Sequence, residues 1–282
     1  MTFDPSRLAA CFALTSNAQG KRFLDVSHPI VSARIAFEGA HLLQCTPTGQ
    51  APLLWVSPDD PQLPGKSLRG GIPLCWPWFG GDRSTSAHGI ARRAPWQLSA
   101  AAESEQGVYL RFDLPAKYIS EQLPGEFRLG VAIDVQLTTT NLGQQPMKLS
   151  QALHTYLPVR DIHQARIGGL ANAAYIDALD DWTHKTQTGD VQFASELDRI
   201  YYGHAGDLQL HDADCPVVVE RQGSESVVVW NPWQAKSLRL SEFPADGYLN
   251  MLCIEAANAG PDTRVLEPGQ SHTLGTLIRR AG

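Results

Sequence analysis

The sequence predicts an all-β fold, a large antiparallel β-sandwich with a few short helices, and three observations carry that prediction. Short apolar or alternating runs recur along the whole chain, Gly, Pro, Asn and Asp separate them, and no strand–helix–strand rhythm links them into a parallel sheet. Alternation is clearest in "VYLRFDL" (108–114) and "VAIDVQLTTT" (131–140), where a period of two puts one set of side chains on a buried face. Taken in order, the runs at 33–49, 107–116, 127–143, 147–159, 216–223, 226–233, 247–258 and 271–280 read as strands. Asn141-Leu142-Gly143 and Gln222-Gly223 supply turn chemistry between neighbouring strands. Helix signals are few. Residues 4–14 can begin a helix, with Asp4 capping and Pro5 at the first position. Residues 116–123 and 174–182 can each supply a couple of turns.

No tandem repeat, low-complexity tract or Ser/Gly linker interrupts the pattern, so residues 1–282 are expected to form one domain, a size that all-β domains reach. Hydrophobic residues make up 43% of the chain and charged residues 18%, a globular balance that excludes disorder as the default. The formal net charge of −6 argues against a nucleic-acid or anionic-membrane surface. It leaves room for a small anionic ligand, since a few local arginines suffice for one phosphate. The five cysteines are scattered, odd in number and form no C-x-x-C pair, which suits free thiols in a reducing compartment. The N-terminus lacks a basic n-region and no run approaches the roughly 18 apolar residues of a membrane span. The expectation is a cytoplasmic protein, a monomer, with no nucleic-acid or membrane partner.

The stretch "KSLRGGIPLCWPWFGG" (66–81) is odd for a core strand. Packing explains its aromatics but not Arg69 before Gly70-Gly71, glycines that let backbone approach a ligand closely. "SAHGIARRAPW" (86–96) adds His88, Arg92 and Arg93 beside Gly89. Two guanidinium groups from separate loops are a natural clamp for a phosphate; solvated surface ion pairs are the plainer alternative.

His154 lies in "QALHTYLPV", sharing a face by alternation with Ser150, Ala152 and Tyr156, while Leu149, Leu153 and Leu157 point the other way. It either projects into a cleft or is a hydrogen-bonded structural histidine. His163, His184, His204 and His211 compete with it. Glu255 sits in the apolar run "NMLCIEAAN", with Met251, Cys253 and Ala257 on its face. A carboxylate there is costly to bury unless paired, and desolvation would raise its pKa toward the range a general base needs. A strand-end glutamate reaching solvent is the alternative. Asp198-Arg199 could set a carboxylate against sugar hydroxyls or make a turn ion pair. "HDAD" (211–214) lacks a third metal ligand at a recognisable spacing, no Gly-rich loop feeds a helix, and there is no G-x-S-x-G elbow. No cofactor and no metal are expected.

Together, "LRGGIPLCWPWFG", "AHGIAR", "ALHTYLPV", "DRIYY", "VVVWNPW" and "LCIEAAN" resemble, in order, the D-hexose-6-phosphate mutarotases, or glucose-6-phosphate 1-epimerases, a branch of the aldose 1-epimerase (galactose mutarotase-like) group. The resemblance covers about residues 65 to 260. It implies a large β-sandwich with a broad cleft on one sheet and an isomerase that exchanges the α and β anomers of a hexose 6-phosphate. It also implies His154 as general acid, Glu255 as general base, Arg69 and Arg92 as phosphate contacts, and His88 and Asp198 facing the sugar. Some relatives carry glutamine before that histidine, where this chain has Ala87; Arg93 has no role in the pattern. The expected partner is a small sugar phosphate. A free-sugar aldose 1-epimerase, a non-catalytic sugar-phosphate-binding protein and a two-carboxylate glycosidase are the rivals.

Overall fold

The computed structural model describes residues 8–81, 87–115, 124–129, 132–212 and 216–281. Two large sheets dominate it. A nine-stranded antiparallel sheet runs Val191–Gln192, Arg166–Gly168, Leu208–His211, Val217–Gln222, Ser271–Arg280, Ala132–Thr140, Pro124–Leu129, Gly107–Asp113 and Gln97–Ser104. The second sheet has eight strands, labelled here in chain order. They are β1 (Leu74–Cys75), β2 (Gln151–Leu153), β3 (Tyr156–Pro158), β4 (Ala174–Asp177), β5 (Thr183–Thr186), β6 (Leu197–Tyr202), β7 (Ser226–Asn231) and β8 (Met251–Asn258). Its order is β5-β4-β6-β7-β8-β2-β1, with β3 also paired to β8.

The two sheets bury one shared core. Leu153, Leu157, Val227, Val229, Leu252 and Ile254 from the second sheet join Leu110, Phe112, Ile133, Val135, Leu274 and Ile278 from the first. Period-two alternation therefore sends odd and even residues of β8 to different fates. Leu252, Ile254 and Ala256 enter that core, while Met251, Cys253 and Ala257 join smaller clusters on the outer face. A four-stranded meander, Phe12–Ser16, Arg22–His28, Val31–Ala36 and His41–Pro47, adds to the same core.

The all-β reading holds, with one five-residue α-helix, Trp233–Ser237, and short 3₁₀ turns among the described residues. Two expected helices are corrected. Of residues 4–14, positions 4–7 lie outside the described residues and Phe12–Ser16 is a strand paired with Arg22–His28. The run at 174–182 is β4 followed by a turn: Ala174–Asp177 pairs with β5 on one side and β6 on the other. Asp181 and Trp182 take positive φ at that turn, so strand pairing overrides local helix preference. Residues 116–123 lie outside the described residues. The run at 127–143 is two paired strands rather than one. Gly223, with φ 67°, joins Val217–Gln222 to β7, which belong to different sheets. No helix of the described residues is long and apolar enough to cross a membrane.

Candidate active site

Strand register builds the site's floor on the outer face of the second sheet. Leu153 pairs with Ala256 and Tyr156 with Cys253, so the offset between β8 and its partner is the same on both sides of residues 154–155. That register sets position 154 opposite position 255. His154 is not within a strand, as the sequence suggested, but in the break between β2 and β3. There its N–H donates to the Pro73 carbonyl at 3.0 Å and the Thr155 N–H donates to the Leu153 carbonyl at 2.8 Å. The break frees the side chain from the ladder while keeping it on the outer face. His154 Nε2 lies 3.5 Å from Glu255 Oε1.

Two rows of cross-strand neighbours extend this floor. Tyr156, Cys253, Trp230 and Asp198 form one row, and Glu255, Val228, Ile200 and Ile176 form the next. The imidazole of His154 stacks on the Tyr156 ring at 4.9 Å and 16°, and meets the edges of His88 and Trp230 at 5.7 and 6.0 Å. Glu255 is mid-strand and 1% exposed, so it does not reach solvent as a strand-end residue would.

Burial pushes the Glu255 carboxyl well above the usual carboxylate range, and the charge of Asp198 adds to the push. Burial also raises Asp198. His154 is pulled well below the ordinary imidazole value, first by burial, then by His88 and Arg92, with Arg69 adding to it. His88 falls to about 4 through burial and the two arginines. Both shifts act in one direction, favouring a neutral carboxyl and imidazole over a buried ion pair.

The cationic wall beside this floor is made of loops. A cavity of about 360 Å³ is lined by Arg69, His88, Arg92, Arg93, Lys66 and His154, among others. Arg69 follows a loop fastened from below. Lys21, fully buried, donates through Nζ to Glu38 Oε2 at 2.7 Å and to the carbonyls of Leu63 and Lys66 at 3.1 and 2.8 Å. The Arg69 N–H donates to Asp60 Oδ2 at 2.6 Å.

The glycines after Arg69 serve a different purpose from the one expected. Gly70 and Gly71 have φ of 116° and 63°, and a Cβ on them would strike the backbone of Trp55–Val56 and of Leu42–Leu43. They let Arg69's segment thread between neighbouring backbones, not against a ligand. Trp76 is fully buried in the shared core and donates to Thr139 Oγ1 at 2.9 Å, so it lies beneath the cleft.

Arg92, in a 3₁₀ turn at Ala91–Arg93, donates through Nη2 to the Ala87 carbonyl at 2.8 Å. Ala87 thus meets Arg92 through its backbone carbonyl. His88, at φ 60°, accepts at Nδ1 from the Gly80 N–H at 3.4 Å.

Arg199 turns to the opposite face, donating to Gln187 Oε1 at 3.1 Å and lying over the Tyr175 ring, so it makes no turn ion pair with Asp198. The competing histidines have local partners: His163 with Asp161, His184 with Tyr202, and His204 with Arg221. His211 lies in the nine-stranded sheet, with Asp212 accepting from the Arg160 N–H and residues 213–214 outside the described residues. Cys11, Cys45, Cys75 and Cys253 are free thiols. His154, Cys253 and Glu255 bring ligand atoms within 4.8 Å of one another, a donor set of the kind zinc accepts. A cation there would occupy the two groups that acid–base chemistry needs.

Sequence reasoning missed Lys66, Tyr156, Ser241 and Glu242 as cavity residues, and Lys21 as the loop's fastening. Tyr156 was legible two positions after His154 on the same face; Lys21 had no signal, since nothing local marks a lysine whose partners lie 17 to 45 residues away.

The aldose 1-epimerase family model matches residues 23–279. The chain belongs to the aldose 1-epimerase family. Among curated relatives, a protein of Escherichia coli K12 named "Putative glucose-6-phosphate 1-epimerase" is 34% identical over 91% of this chain and 89% of its own. One of the same name from Cenchrus ciliaris is 34% identical over 77% and 72%. The crystal structure of a mutarotase, so named as putative, from Salmonella typhimurium superposes with a TM-score of 0.90 at 30% identity over 98% of this chain and 95% of that one. Aldose epimerases interconvert sugar anomers, and membership of that family supports the same class of reaction for this chain.

Proposed function

We propose that this protein interconverts the α and β anomers of a hexose 6-phosphate, with glucose 6-phosphate the foremost substrate. One observation carries the reading: the cavity that contains His154 of the His154–Glu255 pair is walled by Arg69, Arg92 and Arg93. A ring over the pair would place its anionic tail among guanidinium groups, which bind phosphate oxygens through charge-assisted hydrogen bonds.

In the mechanism Glu255 takes the proton of the anomeric hydroxyl while His154 gives one to the ring oxygen. The ring opens, the aldehyde turns about the C1–C2 bond, and closure on the other face reverses both transfers. Protons balance: one leaves the sugar, one returns, and no electron changes hands. His88 and Asp198 face the sugar hydroxyls in this reading. General acid–base help of this kind is worth on the order of 10²–10⁴ in rate. Two-dimensional exchange NMR on glucose 6-phosphate tests it: accelerated exchange is expected from the protein and is expected to vanish in His154→Ala and in Glu255→Ala. Near-normal exchange in either variant removes the mechanism.

A further inference from the structure

Three observations converge on the cationic side of the cleft. First, His154 and the arginines line one cavity, so charge placed near the arginines is felt at the imidazole. Second, Ser67 Oγ and Arg92 Nε are buried with no hydrogen-bond partner, and both residues line that cavity. Buried donors left unmatched are costly, and an oxyanion with several acceptor oxygens matches them. Third, the guanidinium groups oppose a second positive charge on His154, the form in which it must act as an acid.

We propose that the phosphate dianion is an activator as well as a handle: by neutralising Arg69 and Arg92 it allows the shared proton to move from Glu255 to His154, creating the carboxylate and imidazolium that ring opening needs. The move conserves protons and forms no covalent bond. It converts remote binding free energy into a competent acid–base pair, so a sugar lacking the phosphate meets a pair with its proton on the wrong group. The inference rests on the proposed hexose-6-phosphate reading and adds a consequence to it. A free oxyanion seated among Ser67, Arg69 and Arg92 activates turnover of an aldose that has no phosphate of its own.

The test uses the full chain with D-xylose, which lacks the sixth carbon and leaves space for phosphite dianion. Enzyme-dependent anomer exchange is measured with rising phosphite, after subtracting exchange catalysed by phosphite alone. A saturable rise of at least ten-fold is expected, and the ratio of rates with and without phosphite should fall toward one in Arg69→Ala. In parallel, ¹⁵N-histidine NMR should show His154 passing from neutral imidazole to imidazolium when inorganic phosphate binds, a change that a merely structural arginine would not produce. Phosphite that competes with glucose 6-phosphate but leaves xylose exchange unchanged overturns the inference, as does phosphite that neither competes nor activates. Either result, with glucose 6-phosphate still turned over, leaves the proposed function standing. Failure to turn over glucose 6-phosphate at all sinks the proposed function instead.

Discussion

On the floor of the cleft, His154 and Glu255 owe their places to strand register: Leu153–Ala256 and Tyr156–Cys253 hold the same offset, and the residues between them face each other. Around Arg69 the cationic wall has no long ladder, only an isolated antiparallel bridge of Val56 with Gly70 in which the Ser57 N–H donates to the Arg69 carbonyl at 2.9 Å. Its loop is held by a few long-range hydrogen bonds, from Lys21 to the carbonyls of Leu63 and Lys66 and from the Arg69 N–H to Asp60. Shifting a strand by one residue would turn the whole floor inside out, so register is fixed by the shared core beneath it. The Arg69 side chain, beyond that tight backbone, is set by loop residues rather than by strand register. The floor is therefore suited to chemistry that tolerates no displacement, and the wall is where substrate preference can change.

Substitutions that break this contrast should differ in size and kind. Glu255→Gln keeps the shape of the floor and removes the carboxylate; its exchange rate on glucose 6-phosphate is expected to fall 10²- to 10⁴-fold. Circular dichroism and thermal unfolding should be nearly unchanged, because a neutral amide of the same shape replaces a carboxyl that burial already holds toward its neutral form. Arg69→Ala should lower kcat/KM on glucose 6-phosphate roughly 10- to 100-fold, the equivalent of about 1.5–3 kcal/mol for one hydrogen bond to a charged group. Its kcat/KM on free glucose should move far less. Equal loss on both sugars would make the arginine structural.

Lys21→Met acts on the wall from beneath. It removes donors to Glu38 and to the Leu63 and Lys66 carbonyls. KM for glucose 6-phosphate should rise several-fold with kcat nearly kept, and stability should fall by about 1–3 kcal/mol. A fall in kcat with KM unchanged would mean that this loop reaches the floor after all.

The smallest effect is a matter of pH. Burial raises Glu255 and lowers His154, so the pair gains a second proton only below the ordinary histidine value and loses its last only above the ordinary glutamate value. With unperturbed groups the one-proton window would span only about 4.3 to 6.5. On free glucose, which keeps the phosphate's own ionisation near pH 6 out of the profile, the alkaline limb of kcat/KM should follow the raised Glu255 carboxyl and the acid limb the lowered His154 imidazole. ¹⁵N-histidine NMR that shows His154 titrating at or above the ordinary imidazole value contradicts the assigned shifts.

Much of the floor was legible because period two is written into the chain. The alternation around His154 and Glu255 names their outer-face neighbours, and the structure keeps that parity even where the strand breaks at 154–155. The break itself left no mark, since it arises from the Thr155 N–H donating to the Leu153 carbonyl. The helices read at 4–14 and 174–182 failed for a tertiary reason: short amphipathic segments take whatever form their neighbours' ladders offer. On the wall, Arg69 and Arg92 stood out by residue type, whereas the role of Gly70-Gly71 was misread. Sequence shows that a glycine is needed but not what comes close to it, which is the backbone of Trp55–Val56 and Leu42–Leu43.

The joining of floor and wall in a single cleft is most directly measured as one ratio, kcat/KM for anomer exchange on glucose 6-phosphate over that on glucose. Two arginines contributing about 3–6 kcal/mol between them predict a preference of roughly 10²–10⁴ for the phosphorylated sugar. A ratio near one, or a preference for the free sugar, would contradict the account.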